Sequence, residues 1–302
     1  MSISFDGRVV IVTGAGDGLG RAHALEFARR GACVIVNDVP PPPGKESGAV
    51  RVAAEICARG GTAIAHNADV TNFDQVTAMV ELALQKWSRV DVLINNAGII
   101  RDKSFVKMEL EDFRCVLNVH LMGAVNCTKA VWPVMRAQRY GRIVMTTSGS
   151  GLYGNFGQSN YAAAKAALVG LMNVLSLEGR NYDIRVCAIC PLAATQMMAG
   201  ILPEAELALL KPNAVTPAVL FLASEGAPTK TIIGAGGGVF ARIEIVETEG
   251  IFLTEEQRTP EELALRFAGL ADLATARPRE ESALQTKAYL ERAAEALRHR
   301  SS

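Results

Sequence analysis

The residues most clearly suited to chemistry are Tyr161 and Lys165, which stand four positions apart in the stretch Tyr-Ala-Ala-Ala-Lys. On a helix this spacing places an ammonium group beside a phenol. A free tyrosine has a pKa of about 10 and is a poor base at neutral pH, but a neighbouring positive charge favours the phenolate. The pair is predicted to exchange a proton with a substrate hydroxyl, although in isolation it would more simply be an exposed helix pair.

Two polar residues upstream extend this candidate site. Ser148 precedes Tyr161 by thirteen residues and closes a predicted strand, so its hydroxyl is expected to hydrogen-bond the reacting oxygen. Asn118 lies in the helix predicted after Asn95-Asn-Ala-Gly98, and its amide is expected to hold a water that feeds a proton relay to Lys165. The predicted catalytic set is Asn118, Ser148, Tyr161 and Lys165.

A glycine-rich stretch, Thr13-Gly-Ala-Gly-Asp-Gly-Leu-Gly20, follows the first predicted strand and opens the first predicted helix. Its glycines allow a tight turn and let a pyrophosphate approach backbone N–H groups at the helix N-terminus. Alone, the stretch is as readily a plain turn; the strand before it and the helix after it favour dinucleotide binding. The residues predicted to contact the cofactor here are Gly14, Asp17, Gly18, Leu19 and Gly20.

The carboxylate of Asp38 predicts which dinucleotide binds. It ends the second predicted strand, eighteen residues after Gly20. A carboxylate at this place accepts both hydrogen bonds of an adenosine ribose diol and repels a 2′-phosphate, and Asp17 adds a second negative charge nearby. The predicted cofactor is therefore NAD(H) rather than NADP(H). The simpler alternative is that Asp38 is a solvated residue at the start of a loop.

Positioning these residues requires a repeated strand–helix pattern, which the first 190 residues show. Such repeats imply parallel strands, right-handed crossovers and helices on both faces of a sheet. The predicted fold is α/β, a Rossmann-type doubly wound parallel sheet of about seven strands. It is expected to form a catalytic domain over residues 1–250, followed by a helical C-terminal extension over 251–302. The predicted strands cover residues 9–13, 32–38, 62–69, 90–95, 141–148, 184–190 and about 231–234.

The C-terminal extension is rich in alanine and charged residues. Thr259-Pro-Glu-Glu262 supplies an N-cap, a proline at the first helical position and a glutamate at the third. Two helices are predicted, from about Pro260 and from about Ser282. The sequence leaves open whether they pack on the same subunit, cross to a partner or remain mobile.

Four prolines, Pro40–Pro43, follow the second predicted strand and cannot continue a helix or a central strand. They favour a stiff extended loop, and a Pro-x-x-Pro ligand is the alternative.

Composition argues against several functional classes. Lysine plus arginine equals aspartate plus glutamate at 31 each, and no long basic block occurs, so nucleic acid is not an expected partner. No apolar stretch approaches the roughly 20 residues of a membrane span. The six cysteines fall in apolar segments and the N-terminus does not resemble a signal peptide, so a reducing, cytoplasmic location is expected.

The cysteines and histidines do not predict a metal site. Cys187 and Cys190 form a C-x-x-C pair, but residues three apart on a strand point to opposite faces, so core packing is favoured over a metal or redox pair. The four histidines lack the spacing of metal ligands and are expected to be structural or surface residues. They are His23, His66, His120 and His299.

Five motifs, in this order and spacing, resemble the short-chain dehydrogenase/reductase superfamily across residues 5 to about 240. They are the glycine-rich stretch, Asn95-Asn-Ala-Gly98, the Asn118 helix, Ser148 and the Tyr161-to-Lys165 element. The resemblance implies that the predicted catalytic set is the tetrad of that superfamily. It also implies cofactor contacts from Asp69 and Val70 along the adenine, from Asn96, Ala97 and Gly98 behind the cofactor, and from Pro191 and Thr195.

Three longer stretches, 37–38, 96–105 and 140–158, are similar to the dehydrogenase domain of the peroxisomal multifunctional enzyme type 2 family, here expected in a stand-alone, bacterial-like form. The similarity implies a lipid-like substrate, a (3R)-3-hydroxyacyl-CoA or a hydroxysteroid, and a homodimer or homotetramer. It also implies substrate contacts from Tyr153, Asn155 and Met198. The proline loop and the less polar segment 191–195 depart from that family, and the second departure puts acyl-CoA specificity in doubt.

Two rival functions stay open beside an NAD-dependent secondary-alcohol dehydrogenase. A 3-oxoacyl-carrier-protein reductase would share the fold but would usually prefer NADPH and a basic cofactor loop, against which Asp17 and Asp38 argue. A non-catalytic nucleotide-binding protein of the same fold would typically have lost one of the four catalytic residues, and all four are present.

Overall fold

The computed structural model describes residues 3–193 and 203–298. The chain divides into two compact units, Met1–Arg242 and Ile243–Ser302. Within the described residues, eight strands form one sheet in the order β3-β2-β1-β4-β5-β6-β7-β8. The strands are β1 Val9–Val12, β2 Cys33–Asn37, β3 Thr62–His66, β4 Val92–Asn95, β5 Gly141–Thr146, β6 Ile184–Pro191, β7 Ile232–Gly236 and β8 Val239–Ile243.

Parallel pairing joins each pair of neighbours from β3 to β7, and this confirms the predicted α/β fold. The strand order reverses beside β1, where β1 pairs with β2 on one side and with β4 on the other. Val10, for example, lies opposite both Val34 and Val92. In such sheets the ligand crevice lies beyond the carboxyl ends of the strands at this reversal.

The central strands are continuous apolar runs because helices cover both faces of a parallel sheet. All four residues of β1 and all four of β4 are buried. The helices of the first unit are α1 Gly18–Arg29, α2 Gly48–Ala58, α3 Phe73–Trp87, α4 Leu110–Leu117, α5 Gly123–Gln138, α6 Gly149–Tyr153, α7 Ser159–Glu178, α8 Glu204–Leu207 and α9 Thr216–Ala223. Side-chain caps begin α2 at Ser47, α3 at Asn72 and α6 at Ser148.

A wide turn joins α4 to α5. Residues Asn118–Met122 form a π-helical segment, in which the N–H of Gly123 donates to the carbonyl oxygen of Asn118, five residues back. Turns of this kind are frequent at functional sites because the extra residue changes which side chains face inward. The segment directly joins α4 to α5, so the three form one continuous helical stretch.

The second unit pairs two short strands antiparallel, β9 Val246–Glu247 with β10 Arg277–Pro278. Its helices are α10 Pro260–Leu265, α11 Phe267–Leu270 and α12 Ser282–Arg298. The starts predicted near Pro260 and Ser282 are confirmed, and the Thr259 side chain accepts a hydrogen bond from the N–H of Glu262 as the N-cap pattern predicted.

The strand boundaries differ from the prediction by one to three residues, most clearly at three carboxyl ends. β2 ends at Asn37, β3 at His66 and β5 at Thr146, each before the polar residue that was expected to close the strand. β8 was not predicted, because its residues are mostly exposed and carry no strong apolar pattern. Among the described helices, none is both long and apolar enough to cross a membrane.

Candidate active site

The cluster around Tyr161 is built on α7. Lys165 is 3% exposed, and its Nζ lies 5.5 Å from the centroid of the Tyr161 ring. Nζ donates a hydrogen bond of 2.6 Å to the carbonyl oxygen of Thr146, the last residue of β5. The backbone carbonyl of Lys165 in turn accepts from the Thr147 hydroxyl at 2.8 Å. These bonds fix α7 against the carboxyl end of β5.

Ser148 lies at the start of α6, directly beyond this strand end. Its side-chain oxygen accepts a hydrogen bond from the Ser150 N–H at 3.2 Å, and its hydroxyl also hydrogen-bonds the phenol of Tyr161. Ser148 is therefore a helix cap rather than the last residue of a strand. The structure brings Ser148, Tyr161 and Lys165 together, as the sequence predicted.

Burial dominates the electrostatics of this cluster. It raises the pKa of Tyr161 above its ordinary value, and the hydrogen bond with Ser148 acts in the opposite direction. It lowers the pKa of Lys165 to about 7. The neighbouring ammonium was expected to favour the phenolate, but desolvation has the largest effect on the pKa of Tyr161 within the protein alone.

Asn118 does not join the cluster. It begins the wide turn with its side chain exposed, and its carbonyl oxygen accepts the N–H of Gly123. His120, two residues later, is 3% exposed, and its ring stands edge-on to Tyr161 with centroids 5.1 Å apart. The place facing Tyr161 and Lys165 that was expected for an amide is therefore occupied by an imidazole, because the turn directs His120 inward.

Helical spacing was the signal for His120. Buried residues recur every three or four positions along this helix, and His120 shares their face while Asn118 does not. The buried residues are Val116, His120, Ala124, Cys127, Thr128, Val131 and Met135. A polar residue on an otherwise apolar helix face was thus visible in the sequence, although it was interpreted as structural.

The imidazole of His120 is held by the loop after β4. Its Nε2 lies 2.7 Å from the carbonyl oxygen of Ile99 and 3.1 Å from the N–H of the same residue. Burial, and secondarily the charge of Lys165, lowers its pKa to about 3, so the ring is neutral at physiological pH. Gly98 makes room for it, since a Cβ at this position would lie 2.2 Å from Cε1 of the ring.

The glycine-rich loop and the loop after β4 are joined by hydrogen bonds. The Thr13 hydroxyl oxygen accepts from the N–H groups of Asn96 and Ala97, each at 3.0 Å. The Asn96 amide donates to the carbonyl oxygens of Thr13 and Gly14 at 2.9 and 3.0 Å. Gly14 has φ +61° and a Cβ there would lie 2.7 Å from Ala97 Cα, so only glycine fits.

This loop fits a dinucleotide. A Cβ on Gly20 would lie 2.2 Å from the carbonyl oxygen of Gly14, so the turn closes directly onto the first residues of α1. Gly18 and Leu19 begin that helix, and Asp17 is its exposed N-cap residue. Backbone N–H groups at a helix N-terminus suit a pyrophosphate, which is the group the sequence predicted here.

Asp38 directly follows β2 and faces the same loop. Its Oδ2 accepts a hydrogen bond from the N–H of Gly16 at 3.0 Å, and its Oδ1 accepts from Val39 at 2.8 Å. Gly16 permits this approach, since a Cβ there would lie 2.0 Å from Oδ2. The carboxylate is thus held at the edge of the loop where a ribose diol would lie.

The remaining predicted cofactor residues occupy strand ends or their loops. Asp69 uses its carboxylate within its own loop, where Oδ1 accepts from the N–H and the hydroxyl of Thr71 at 2.9 and 2.8 Å. Val70 is buried, and its carbonyl oxygen accepts from Asn126 at 2.9 Å. Pro191 ends β6, whereas Thr195 and Met198 lie outside the described residues.

The chain matches the family model described as short chain dehydrogenase over residues 8–206. It belongs to the short-chain dehydrogenase family. It is 43% identical over 284 residues to peroxisomal multifunctional enzyme type 2 of Mus musculus, a match that covers 91% of this chain and 38% of the mouse protein. A short-chain type dehydrogenase/reductase of Mycobacterium tuberculosis is 42% identical over 275 residues, covering 89% and 96%.

A 3-oxoacyl-[acyl-carrier-protein] reductase of Thermotoga maritima is 40% identical over 246 residues, covering 78% of this chain and 98% of the reductase. Among solved structures of the family, full-length peroxisomal multifunctional enzyme type 2 of Drosophila melanogaster superposes with a TM-score of 0.83 at 36% identity, covering 97% of this chain and 50% of that one. A 7α-hydroxysteroid dehydrogenase complexed with NADH and 7-oxo glycochenodeoxycholic acid gives 0.70 at 31% identity, covering 78% and 95%.

One polar network in this short-chain dehydrogenase was missed from the sequence. Gln158, just before α7, is 8% exposed; its Oε1 accepts from the Ser150 hydroxyl at 2.6 Å and from the Asn155 amide at 3.0 Å, and its Nε2 donates to Asp102 at 2.6 Å. The network ties the loop after β4 to the segment that carries Tyr161. No local pattern signals it, because Asp102 and Gln158 are 56 residues apart.

Two of the three predicted substrate residues, Tyr153 and Asn155, are described, and Asn155 belongs to this network. Tyr153 ends α6 with an exposed ring, and the Asn155 amide donates a hydrogen bond to Gln158, three residues later. Phe156 is exposed as well. Tyr153 and Phe156 therefore present exposed apolar surface at the end of α6 and just beyond it.

Proposed function

We propose that the protein is an NAD(H)-dependent oxidoreductase that transfers a hydride between the nicotinamide and a secondary alcohol or ketone. The observation that carries the proposal is the cluster of Ser148, Tyr161 and Lys165 at the carboxyl end of β5, on the same sheet edge as the glycine-rich loop. A proton-exchanging phenol beside a dinucleotide cradle is the arrangement that alcohol oxidation requires.

The chemistry divides between cofactor and protein. When bound, NAD⁺ supplies the acceptor for the hydride that leaves the carbinol carbon. Tyr161 takes the hydroxyl proton as the C=O bond forms, and Ser148 hydrogen-bonds the same oxygen. Burial raises the pKa of Tyr161 and the hydrogen bond with Ser148 opposes that rise. A positive charge on Lys165 or on a bound nicotinamide would act in the same direction as Ser148. In the direction of reduction the neutral phenol is the proton donor.

Asp38 supports NAD(H) over NADP(H). Its carboxylate is fixed by Gly16 at the place of the ribose, where a 2′-phosphate would meet a like charge. The related 7α-hydroxysteroid dehydrogenase was solved with NADH.

For the substrate we propose a (3R)-3-hydroxyacyl-CoA or a hydroxysteroid. The similarity to multifunctional enzyme type 2 over nine-tenths of the chain supports the first, and the 7α-hydroxysteroid dehydrogenase supports a steroid. Tyr153 and Asn155 are the described residues proposed to contact it, with Met198 as the third. We further propose a homodimer or homotetramer through the helices that carry Asn118 and Tyr161, where Met122 and Val174 are exposed apolar residues.

A 3-oxoacyl-carrier-protein reductase is the second candidate, favoured by the similarity to the Thermotoga maritima reductase. One assay separates the two: NAD⁺ and NADP⁺ are each paired with (3R)-hydroxyacyl-CoAs and 17β-hydroxysteroids, and NADPH with a 3-oxoacyl carrier protein. The absorbance of the reduced nicotinamide is followed throughout. Turnover with NAD⁺ supports our proposal, and turnover confined to NADPH and the carrier protein supports the reductase.

A further inference from the structure

The glycine-rich loop is held from two sides at Gly16. The N–H of Gly16 donates to Oδ2 of Asp38 at 3.0 Å, and its carbonyl oxygen accepts a hydrogen bond from Nη2 of Arg51, also at 3.0 Å. Arg51 was not among the cofactor residues predicted from the sequence. Two side chains of opposite charge thus bind one backbone residue, at the edge of the loop where the adenosine ribose is proposed to lie.

Arg51 lies near the start of α2, and this helix begins against the loop. A Cβ on Gly48, the first residue of α2, would lie 2.9 Å from Gly16 Cα. The first turn of α2 contains no acidic residue. The N-terminus of a helix carries a partial positive charge, which disfavours a nearby cation and favours an anion. The start of α2 and the guanidinium of Arg51 therefore form one positive region beside Gly16.

The guanidinium of Arg51 has hydrogen-bond donors that the protein does not use. A guanidinium has five N–H donors in a planar fork that matches phosphate oxygens, and one of them is donated to Gly16. Glu55, one turn later on the same helix, is bound by Arg21 and Arg59 instead. Within the part of the chain that the structure describes, Arg51 forms no ion pair, so it could bind a phosphate without breaking one.

The carboxylate of Asp38 offsets this positive region in the unmodified protein. It is fixed at the loop edge by the N–H groups of Gly16 and Val39. A phosphate monoester such as the 2′-phosphate of NADP(H) carries a charge of about −1.5 to −2 at pH 7. The carboxylate repels this group and the guanidinium attracts it. Discrimination between the two dinucleotides therefore depends on the difference between these two effects.

We propose that Arg51 is a specificity-determining residue of the cofactor site, which binds the 2′-phosphate of NADP(H) once the charge of Asp38 is removed. In the unmodified protein Arg51 holds the carbonyl of Gly16 and partly offsets Asp38. The exclusion of NADP(H) is then weaker than the carboxylate alone would make it. This assignment rests on the proposed function, since it takes the glycine-rich loop as the dinucleotide site.

The test is a double-mutant cycle that is measured by binding. Nicotinamide fluorescence gives the dissociation constants for NADH and NADPH of the unmodified protein, Asp38→Asn, Arg51→Gln and the double variant. We expect Asp38→Asn to bind NADPH about tenfold more tightly than the unmodified protein does. Adding Arg51→Gln should remove about tenfold or more of that affinity, because charge-assisted hydrogen bonds to the phosphate are lost. The affinity for NADH should fall much less in the same step.

Arg59→Gln is the matched control, because Arg59 follows the opposite end of α2 and binds Glu55. In the Asp38→Asn background it should leave the affinity for NADPH nearly unchanged. If Arg51 only anchors the loop through Gly16, its replacement weakens NADH and NADPH equally. Equal losses for the two dinucleotides, or a loss of NADPH affinity in Arg59→Gln as large as in Arg51→Gln, would overturn the assignment.

A crystal structure of Asp38→Asn with NADPH shows the contact directly. We expect the guanidinium of Arg51 within hydrogen-bonding distance of the 2′-phosphate, and a phosphate bound without Arg51 would contradict the assignment. If neither dinucleotide binds to the unmodified protein or to any variant, the proposed function fails and the assignment fails with it. Binding of NADH together with equal losses in Arg51→Gln rejects the assignment alone.

Discussion

The imidazole of His120 meets the phenol of Tyr161 edge-on, with ring planes 86° apart. This contact comes from a helix that changes pitch over Asn118–Met122 and from a glycine at position 98 that leaves room for the ring. Edge-to-face pairs contribute about 0.5–1.5 kcal/mol beyond their burial. The imidazole therefore packs against one side of the phenol ring and helps to hold it in place.

Replacing Tyr161 by phenylalanine removes only the hydroxyl. We expect Tyr161→Phe to lower turnover by about 100-fold or more, because a positioned acid or base contributes at least that much. The ring remains, so the contact with His120 and the affinity for NADH should be preserved. Steady-state kinetics and NADH fluorescence titration measure the two quantities, and near-normal turnover in this variant would reject Tyr161 as the acid/base.

Lys165 is expected to limit the stability of the fold. Burial lowers its pKa from 10.5 to about 7, so between these values the unfolded chain binds a proton that the native chain does not. Stability therefore rises as the pH rises from about 7 toward 10.5, and the unfavourable burial of the ammonium is fully present below about 7. Lys165→Met should unfold at higher denaturant concentration than the unmodified protein at pH 6, by on the order of a few kcal/mol, while losing activity.

The advantage of Lys165→Met should shrink as the pH approaches 10. Lys129→Met on α5 is the matched control, since Lys129 is exposed and its replacement should leave the free energy of unfolding nearly unchanged. Denaturant unfolding at several pH values measures both variants. Equal or lower stability of Lys165→Met at pH 6 would mean that the ammonium is not unfavourably buried.

Asp38 should set the cofactor preference through its charge. Asp38→Asn keeps an oxygen that can accept from the Gly16 N–H but removes the repulsion of a 2′-phosphate. We expect the ratio of kcat/KM for NAD⁺ to that for NADP⁺ to fall about tenfold or more, which corresponds to about 1.4 kcal/mol. Asp38→Ala serves as the comparison that also loses the hydrogen bond. An unchanged ratio in both variants, or a preference of the unmodified protein for NADP⁺, would refute the choice of NAD(H).

Gly98 should tolerate no side chain. A Cβ would lie 2.2 Å from Cε1 and 2.8 Å from Nδ1 of His120, so Gly98→Ala must displace the imidazole. Overpacking of this kind destabilises by about 1–3 kcal/mol. Gly170→Ala is the control, because it lies within α7 with nothing within 4 Å of the added Cβ, and it should stabilise by about 0.5–1 kcal/mol. If both variants melt at the same temperature, the steric argument at Gly98 is wrong.

The fold was predictable because its signals are local and repeated. Buried β-branched runs such as Val9–Val12, each followed by an amphipathic helix, determine a parallel sheet and its ligand edge. The exposed strand β8 lacks such a signal and was missed. The helix at Pro260 was predicted from its cap alone and is confirmed.

Within the site, the residues placed by regular helix spacing were predicted correctly. The prediction failed where a wide turn changes that spacing. Tyr161 and Lys165 share one face of a regular helix, so their proximity followed from four-residue spacing. Asn118 was predicted to join the site but lies exposed in a wide turn, whereas the helical spacing of the buried residues favoured His120. The pKa of Tyr161 also depends on burial, which arises from the packing of the whole site.

The hydrogen bonds that join Thr13 to Asn96 and Ala97 have a thermodynamic consequence. They fix two loops in the geometry that a dinucleotide would need, so association would not have to order either loop. Ordering a segment on binding is entropically unfavourable, and a preorganised receptor avoids that loss. Cofactor association at this edge should therefore resemble docking onto a rigid surface, with its calorimetric signature set by the contacts formed rather than by backbone ordering.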